Sequence, residues 1–309
     1  MKNRIYEAPV VPKEGAGVVE KAARCDKNVL ILGETGTGKD VTARRVHELS
    51  DRREHPFVAV NCASLPDDLV EAELFGYARG AFTGAVRDKE GLLEAAGNGT
   101  VFLDEIGELP FHIQAKILRM IDKRETRRIG ETATRMVTAR FIFATNRDLE
   151  EEVRTGRFRR DLYFRINVVR IRLPSLREHR EDIPRLVHQI LERENERGGT
   201  CKDLSPEALG RLMTYGFPGN IRELENIIER ACVLCDEEII RDEDLIFEGY
   251  SWSPEKDGPV TPEALRRTLA SCRWNKTKAA GEIGRSRRQL YRLLEKYRMD
   301  DCIRRIFFP

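Results

Sequence analysis

A short apolar run, Val29-Leu30-Ile31-Leu32, leads straight into Gly33-Glu34-Thr35-Gly36-Thr37-Gly38-Lys39-Asp40, and a helical pattern follows from Val41 to Leu49. Few local patterns restrict a fold as strongly. A strand that ends in a glycine-rich turn and enters a helix is the opening unit of a parallel α/β sheet. The glycines let backbone N–H groups turn inward around an anion, and the helix N-terminus adds favourable partial charge. Lys39 supplies a cation for the β- and γ-phosphates of a nucleotide. Gly33, Glu34, Thr35, Gly36, Thr37, Gly38, Lys39 and Asp40 are therefore candidate nucleotide contacts. Asp40 stands where Ser or Thr usually ligates magnesium, so the group that completes the metal shell stays open. The bland alternative is a glycine-rich turn that merely links strand to helix.

The rest of the first half continues the alternation. Phe57-Val58-Ala59-Val60, Thr100-Val101-Phe102-Leu103 and Phe141-Ile142-Phe143-Ala144 are short apolar runs that read as buried strands. The run from Thr100 ends in Asp104-Glu105. Carboxylates at the C-terminal end of a parallel strand stand beside the phosphate loop. Asp104 can hold magnesium, directly or through water, and Glu105 can orient the attacking water. ATP and Mg2+ are thus the expected substrate and cofactor, and ATP hydrolysis the expected reaction. From Ile183 the pattern turns helical, over Ile183 to Arg197, Ser205 to Tyr215 and Asn220 to Cys235. The expected organisation is an α/β nucleotide-binding region over 1–180 and a helical lid over 181–248. A linker over 249–260, rich in Gly, Pro and Ser, a helical unit over 261–300 and a short tail over 301–309 follow.

Charge is unevenly placed. The chain nets only +2, yet Thr261 to Pro309 carries 13 Lys and Arg against 5 Asp and Glu. A basic end on an acidic body suggests a nucleic-acid module attached to something else. Within it, Ala264 to Ala270, Thr277 to Ile283 and Ser286 to Tyr297 read as three short helices, with Gly284-Arg285 as a tight turn. Ser286 is a good N-cap. Two helices around a short glycine-containing turn predict a helix-turn-helix. Arg287, Arg288, Gln289 and Arg292 lie on the outer side of its second helix, while Leu290, Leu293 and Leu294 form the packing stripe. Arg and Gln near that helix start can reach base edges, and Lys276, Lys278 and Tyr291 suit phosphates. The partner is double-stranded DNA; a solvated basic bundle is the alternative.

No apolar run approaches the roughly 20 residues that span a bilayer, and Met1 to Val11 lacks a signal core. The seven cysteines form no disulfide framework. Cys232 and Cys235 lie in a helical run without a second pair, which favours helix core over a metal site. A cytoplasmic protein with no membrane partner is expected.

These motifs together resemble the central AAA+ domain of sigma-54-dependent activators, the bacterial enhancer-binding proteins. The resemblance runs from about Asn28 to Met299. Its most specific element is Gly80-Ala81-Phe82-Thr83-Gly84-Ala85, preceded by Glu73-Leu74-Phe75-Gly76. In that family this loop is inserted in a helix and touches sigma-54 as the nucleotide state changes. An exposed Phe flanked by glycines also suits partner contact on physical grounds. The resemblance further implies that Asn61 is the switch asparagine restraining Glu105, and that Thr145-Asn146 senses the γ-phosphate. It assigns Arg159 and Arg165, in the run Phe158 to Arg165, as fingers reaching a neighbour's site, and Arg222, in Phe217 to Leu224, as the lid's sensor arginine. Phe217 stands where the family usually has Trp. The C-terminal unit resembles the Fis-type helix-turn-helix.

The implied function is an ATP-dependent activator that binds enhancer DNA, oligomerises and remodels sigma-54 RNA polymerase into the open promoter complex. A hexameric ring is implied, of one chain or mixed with a paralogue. The chain begins almost at the motor, so the resemblance is to short members without a sensory domain, such as the phage-shock activator and the type III secretion activators of plant pathogens. Two other readings are a DNA-binding repressor with an inert motor fold and a different AAA+ machine. Intact Lys39, Asp104, Glu105, Arg159 and Arg165 argue against the first, and the Gly80 to Ala85 loop against the second.

Overall fold

Apolar runs with no polar alternation need cover on both faces, and the structure supplies it. A computed structural model describes residues 13–64, 66–247 and 262–272, together with Lys276, Ala279, Leu290, Leu294 and Tyr297. The nucleotide-binding region opens with α1 (Lys13–Arg24), β1 (Val29–Leu32), α2 (Lys39–Glu48), β2 (Phe57–Asn61) and α3 (Asp67–Phe75). Next come β3 (Gly76–Tyr77), β4 (Lys89–Glu90), α4 (Leu92–Ala95), β5 (Thr100–Asp104), α5 (Phe111–Lys123), β6 (Glu125–Thr126) and β7 (Arg135–Met136). It closes with β8 (Arg140–Thr145), α6 (Leu149–Arg154), α7 (Arg160–Ile166) and β9 (Val169–Arg172).

The main sheet has five strands in the order β2-β5-β8-β1-β9, and every pairing is parallel. Alternate residues of one strand serve opposite cores. Leu30, Val101, Leu103, Phe141 and Phe143 face a core shared with α5, whose Ile113, Ile117, Met120 and Ile121 recur at helical spacing. Val29, Ile31, Phe102, Ile142 and Ala144 face the other core, closed by Val19, Ala22 and Ala23 of α1 and Ala43 and Val46 of α2. Truncating a buried Leu, Ile, Met or Phe of these cores to Ala costs about 2–5 kcal/mol.

Two elements go beyond the sequence expectation. Helix α1 occupies Lys13–Arg24, and its buried face is built from small side chains, Val19, Ala22 and Ala23, rather than a long apolar run. Strand β9 pairs only with β1, at the sheet edge, and just Ile171 of its four residues is buried. An edge strand with arginines at alternate positions has no continuous apolar run to reveal it.

The helical region holds α8 (Ile183–Gly198), β10 (Asp203–Leu204), α9 (Pro206–Thr214), α10 (Asn220–Leu234) and β11 (Ile239–Ile240). Helix α8 starts with Pro near its first turn and stops at Gly199, whose φ of 63° is the left-handed C-terminal cap. The chain divides into two compact units, Met1–Tyr215 with Gly219–Leu245, and Gly216–Pro218 with Ile246–Pro309. The stretches expected as 1–180 and 181–248 thus fall largely into the first. In the second, α11 (Pro262–Ser271) contributes Leu265 and Leu269 to a small core with Cys272, Ala279, Leu290 and Leu294. The linker expected at 249–260 and the tail 301–309 lie outside the described residues.

Candidate active site

The sheet register decides what meets at its C-terminal edge. Asn61 pairs with Asp104, and Leu32 with Thr145, so the phosphate loop, Asn61, Asp104-Glu105 and Thr145-Asn146 line up along one rim. A cleft of about 640 Å³ opens there, lined by Thr35, Gly36, Gly38, Lys39, Asp40, Asn61, Asp104 and Glu105. Its far wall comes from the lid, through Leu186, Ile221 and Arg222.

Lys39 is buried, and its Nζ donates to the carbonyls of Gly33 (3.1 Å) and Glu34 (3.3 Å). It also meets Glu105 Oε1 at 3.2 Å. The other Glu105 oxygen accepts from the Asn146 backbone N–H at 3.0 Å. Asn146 Nδ2 in turn donates to Thr35 Oγ1 at 3.0 Å. The carboxylate that can activate water is therefore wired to the loop and to the end of β8 at once. Glu105 has φ 51°, in the left-handed region that costs a non-glycine residue about 1–2 kcal/mol. Backbone strain of this kind concentrates at functional sites. Burial, with Glu105 beside it, raises the Asp104 carboxyl above its ordinary value. Asp40 adds to that repulsion, and Lys39 opposes it. A partly buried carboxylate in a negative field suits a bound cation. Asn61 Oδ1 accepts from the Ala63 N–H at 2.9 Å, and Glu105 is engaged by Lys39 and Asn146. Behind this rim, burial and the two acids push the Cys62 thiol up to about 12, which leaves it inert.

The loop is gripped from the lid side. Asn220 is fully buried with φ 54°. Its Oδ1 accepts from Leu176 N–H (2.9 Å), and its Nδ2 donates to Glu34 Oε2 (3.2 Å) and Thr35 O (3.0 Å). Ile221 N–H donates to Gly36 O at 2.9 Å. A Cβ on Gly36, whose φ is 81°, would stand 2.2 Å from Gly219 O, so glycine is required twice over there. Glu34, expected among the nucleotide contacts, turns to Asn220 and to a paired Arg177, whose guanidinium holds its carboxyl below the usual range. Gly33 and Glu34 do not line the main cleft. Thr37 Oγ1 bonds Glu34 O, and Thr145 Oγ1 accepts from Arg147 N–H.

Neither Arg159 nor Arg165 lines this cleft. Arg159 forms a paired contact with Asp161 (3.0 and 2.7 Å) and lies over the Phe111 ring at 5.5 Å. Arg165 meets Asp122 at 2.6 Å and keeps half its side chain exposed.

Sequence models of known families divide the chain in the same order as these parts. The sigma-54 interaction domain matches residues 11–172, the AAA+ ATPase lid domain 177–259, and the bacterial regulatory protein, Fis family, 263–297. The chain belongs to the sigma-54-dependent transcriptional regulators. It is 42% identical over 297 residues to the response regulator protein PilR of Pseudomonas aeruginosa, covering 91% of this chain and 67% of PilR. With ZraR of Salmonella typhimurium it shares 45% over 287 residues, 90% of this chain and 65% of ZraR. The Nif-specific regulatory protein of Klebsiella pneumoniae is 42% identical over 308 residues, 95% of this chain and 58% of the relative. The chain thus spans roughly two-thirds or less of the curated relatives it matches. NtrX from Brucella abortus, solved in complex with ATP, superposes with a TM-score of 0.72 at 30% identity, covering 96% of this chain and 69% of NtrX.

In this sigma-54-dependent regulator the Gly80 to Ala85 loop connects β3 to β4 rather than entering the cleft. Gly80 N–H donates to Ala85 O at 2.8 Å, which closes the loop base. Gly80 and Gly84 have φ of 81° and 105°. Phe82 remains 44% exposed, propped edge-on against Tyr77 at 4.9 Å, and Thr83 is exposed while Ala85 is buried. Ala81 packs so closely on Gly130 that a Cβ there would come within 2.8 Å. In the second unit, Lys276 is half-buried. Lys278, Ser286, Arg287, Arg288, Gln289, Tyr291 and Arg292 lie outside the described residues.

Sequence reasoning missed Asn220, Arg177 and Gln114. Asn220 sits inside the motif that pointed to Arg222, and a polar residue opening a helix reads as an ordinary cap. Gln114 shows only as a polar position on the apolar face of α5, between Ile113 and Ile117. That interruption was the available signal.

Proposed function

We propose that this chain is an ATP-driven activator that remodels sigma-54 RNA polymerase into the open promoter complex. It works as a ring of copies, a hexamer by family resemblance, and binds enhancer DNA through its helix-turn-helix. One observation carries the ring: the cleft has Lys39, Asp104, Glu105 and Arg222 on its walls, but not Arg159 or Arg165. Both arginines keep substantial exposure, 32% and 52% of their side chains. Arg193 and Arg197 also line the cleft but are paired with Glu194, Glu225 and Glu229, so a second copy is the natural source of a finger.

ATP enters with its phosphates on the backbone N–H groups of the Gly33 to Gly38 turn and the start of α2, where the helix dipole favours anions. Lys39 exchanges its bonds to Gly33 O and Glu34 O for phosphate oxygens. Glu105, freed from Lys39, accepts a proton from the attacking water or orients it. Asn146 relays the filled state, because it touches both Glu105 and Thr35. Asp104 would hold a magnesium ion, which would neutralise charge on the phosphate oxygens. A finger from the next subunit stabilises the charge that develops in the transition state. Phe82 and Thr83 carry the motion to sigma-54, and the work takes place in the cytoplasm, on DNA.

The test is turnover against protein concentration, followed by mixing. Turnover per subunit should rise steeply as copies assemble. An Arg165→Ala chain mixed with a Lys39→Ala chain should regain hydrolysis at mixed interfaces. A monomer that hydrolyses ATP at the full rate would sink the shared site.

A further inference from the structure

Helix α5 begins six residues after Glu105 and carries, in its first turn, a fully buried amide that the reaction above does not use. Gln114 Nε2 donates to Leu109 O at 2.9 Å and to Arg157 O at 3.0 Å. Its Oε1 accepts from the Arg159 backbone N–H at 2.9 Å. Every hydrogen-bonding group at the tip of this side chain is thus used, on two segments far apart in sequence. One segment is the exit from the strand of Asp104 and Glu105. The other is the N-cap of α7, which is Arg159 itself. The same turn of α5 offers Phe111, whose ring lies under the Arg159 guanidinium. Asp161 completes the hold on that guanidinium.

The chemistry around Gln114 leaves little choice of residue. Two carbonyl oxygens and one N–H require two donors and one acceptor on a planar group, which an amide supplies. A carboxylate would face both carbonyls with lone pairs. An apolar side chain would leave the Leu109 and Arg157 carbonyls and the Arg159 N–H without this partner, a loss felt most where water cannot reach.

We propose that Gln114 is a positioning residue for the arginine finger. It fixes the backbone of Arg159 to the segment leaving the carboxylate strand, so the finger that a subunit lends is set by that subunit's own catalytic rim. The proposal rests on the reading of Arg159 as a finger used in trans. It makes an asymmetric claim: a Gln114 variant is a poor donor of the finger and a sound owner of the site.

Gln114→Met and Gln114→Glu in the full chain test it, the second keeping the shape while removing the donors. Binding of a fluorescent ATP analogue should stay within about twofold of the unsubstituted chain, and turnover should fall on the order of tenfold to a hundredfold, as misplacement by an ångström does. Mixed with Lys39→Ala, which still offers intact fingers, the Gln114 variants should regain hydrolysis. Mixed with Arg159→Ala, which lacks the finger that Gln114 positions, they should stay slow. Normal turnover by both variants overturns the proposal. So does slow turnover without rescue by Lys39→Ala, since that marks a general loss of structure. An Arg159→Ala and Lys39→Ala mixture serves as control; if that pair fails to recover, the trans-finger reading itself falls.

Discussion

Replacing Asn220 should loosen the phosphate loop although Asn220 itself does not line the cleft. Asn220→Ala leaves the buried Leu176 N–H without an acceptor and removes the donors to Glu34 and Thr35. The orphaned N–H costs about 1–3 kcal/mol, and each of the other two, which water can partly replace, about 0.5–1.5 kcal/mol. Ala at φ 54° adds about 1 kcal/mol of backbone strain that Asn tolerates better. The sum is about 3–7 kcal/mol, a large part of a typical folding stability. Asn220→Gly separates the two causes: it relieves the strain but loses the same bonds, so it should be more stable than Asn220→Ala by about 1 kcal/mol. Urea unfolding gives both differences, and titration with a nucleotide analogue under folding conditions gives the consequence at the site. Affinity should drop in both variants, because Arg222 lies two residues beyond Asn220. An unfolding midpoint and a nucleotide affinity unchanged in Asn220→Ala would refute the grip.

Lys39→Ala should weaken nucleotide binding about tenfold or more, the size of a lost charge-assisted bond. Glu105→Ala should keep binding and lose turnover by about 10²–10⁴, the size of a general base; normal turnover there would remove the assignment. His47 is buried against Thr100 Oγ1 at 2.9 Å, and burial lowers its pKa from the usual 6.5. The unfolded chain binds that proton near pH 6.5 while the folded chain resists it, so stability declines as pH falls below that value. Melting at about pH 7.5 and about pH 5.5 should show the decline, and His47→Gln should flatten it.

What the sequence disclosed follows from how local each signal is. The strand, loop and helix around Lys39 form one uninterrupted stretch, so the motif and its context are read together. Asp104-Glu105 is legible because an apolar run delivers it. The grip of Asn220 on Glu34 spans 186 positions of sequence, and Gln114 reaches Arg159 across 45. No spacing rule announces such contacts, since each is decided by where helices land on the sheet. Glu34 illustrates the point: its place in the loop predicts a nucleotide contact, and the fold turns it to Asn220 and Arg177. Strand β9 was hidden for a different reason, because edge strands lack the two-sided burial that makes a run continuous.

The central claim is that fuel use and output are separate parts of one machine. In the proposed mechanism hydrolysis uses the fingers together with Lys39, Asp104 and Glu105, which line the cleft, and the Phe82–Thr83 tip lies outside that cleft. In vitro transcription with sigma-54 polymerase, run beside an ATPase assay on the same preparations, tests it most directly. Thr83→Ala should keep ATPase and enhancer binding, and lose both sigma-54 binding in a transition-state-like nucleotide complex and open-promoter formation. Phe82→Ala should be at least as damaging, since a buried apolar anchor contributes about 2 kcal/mol or more at an interface. Normal activation by both variants would contradict the account and leave Gly80 to Ala85 as a structural turn.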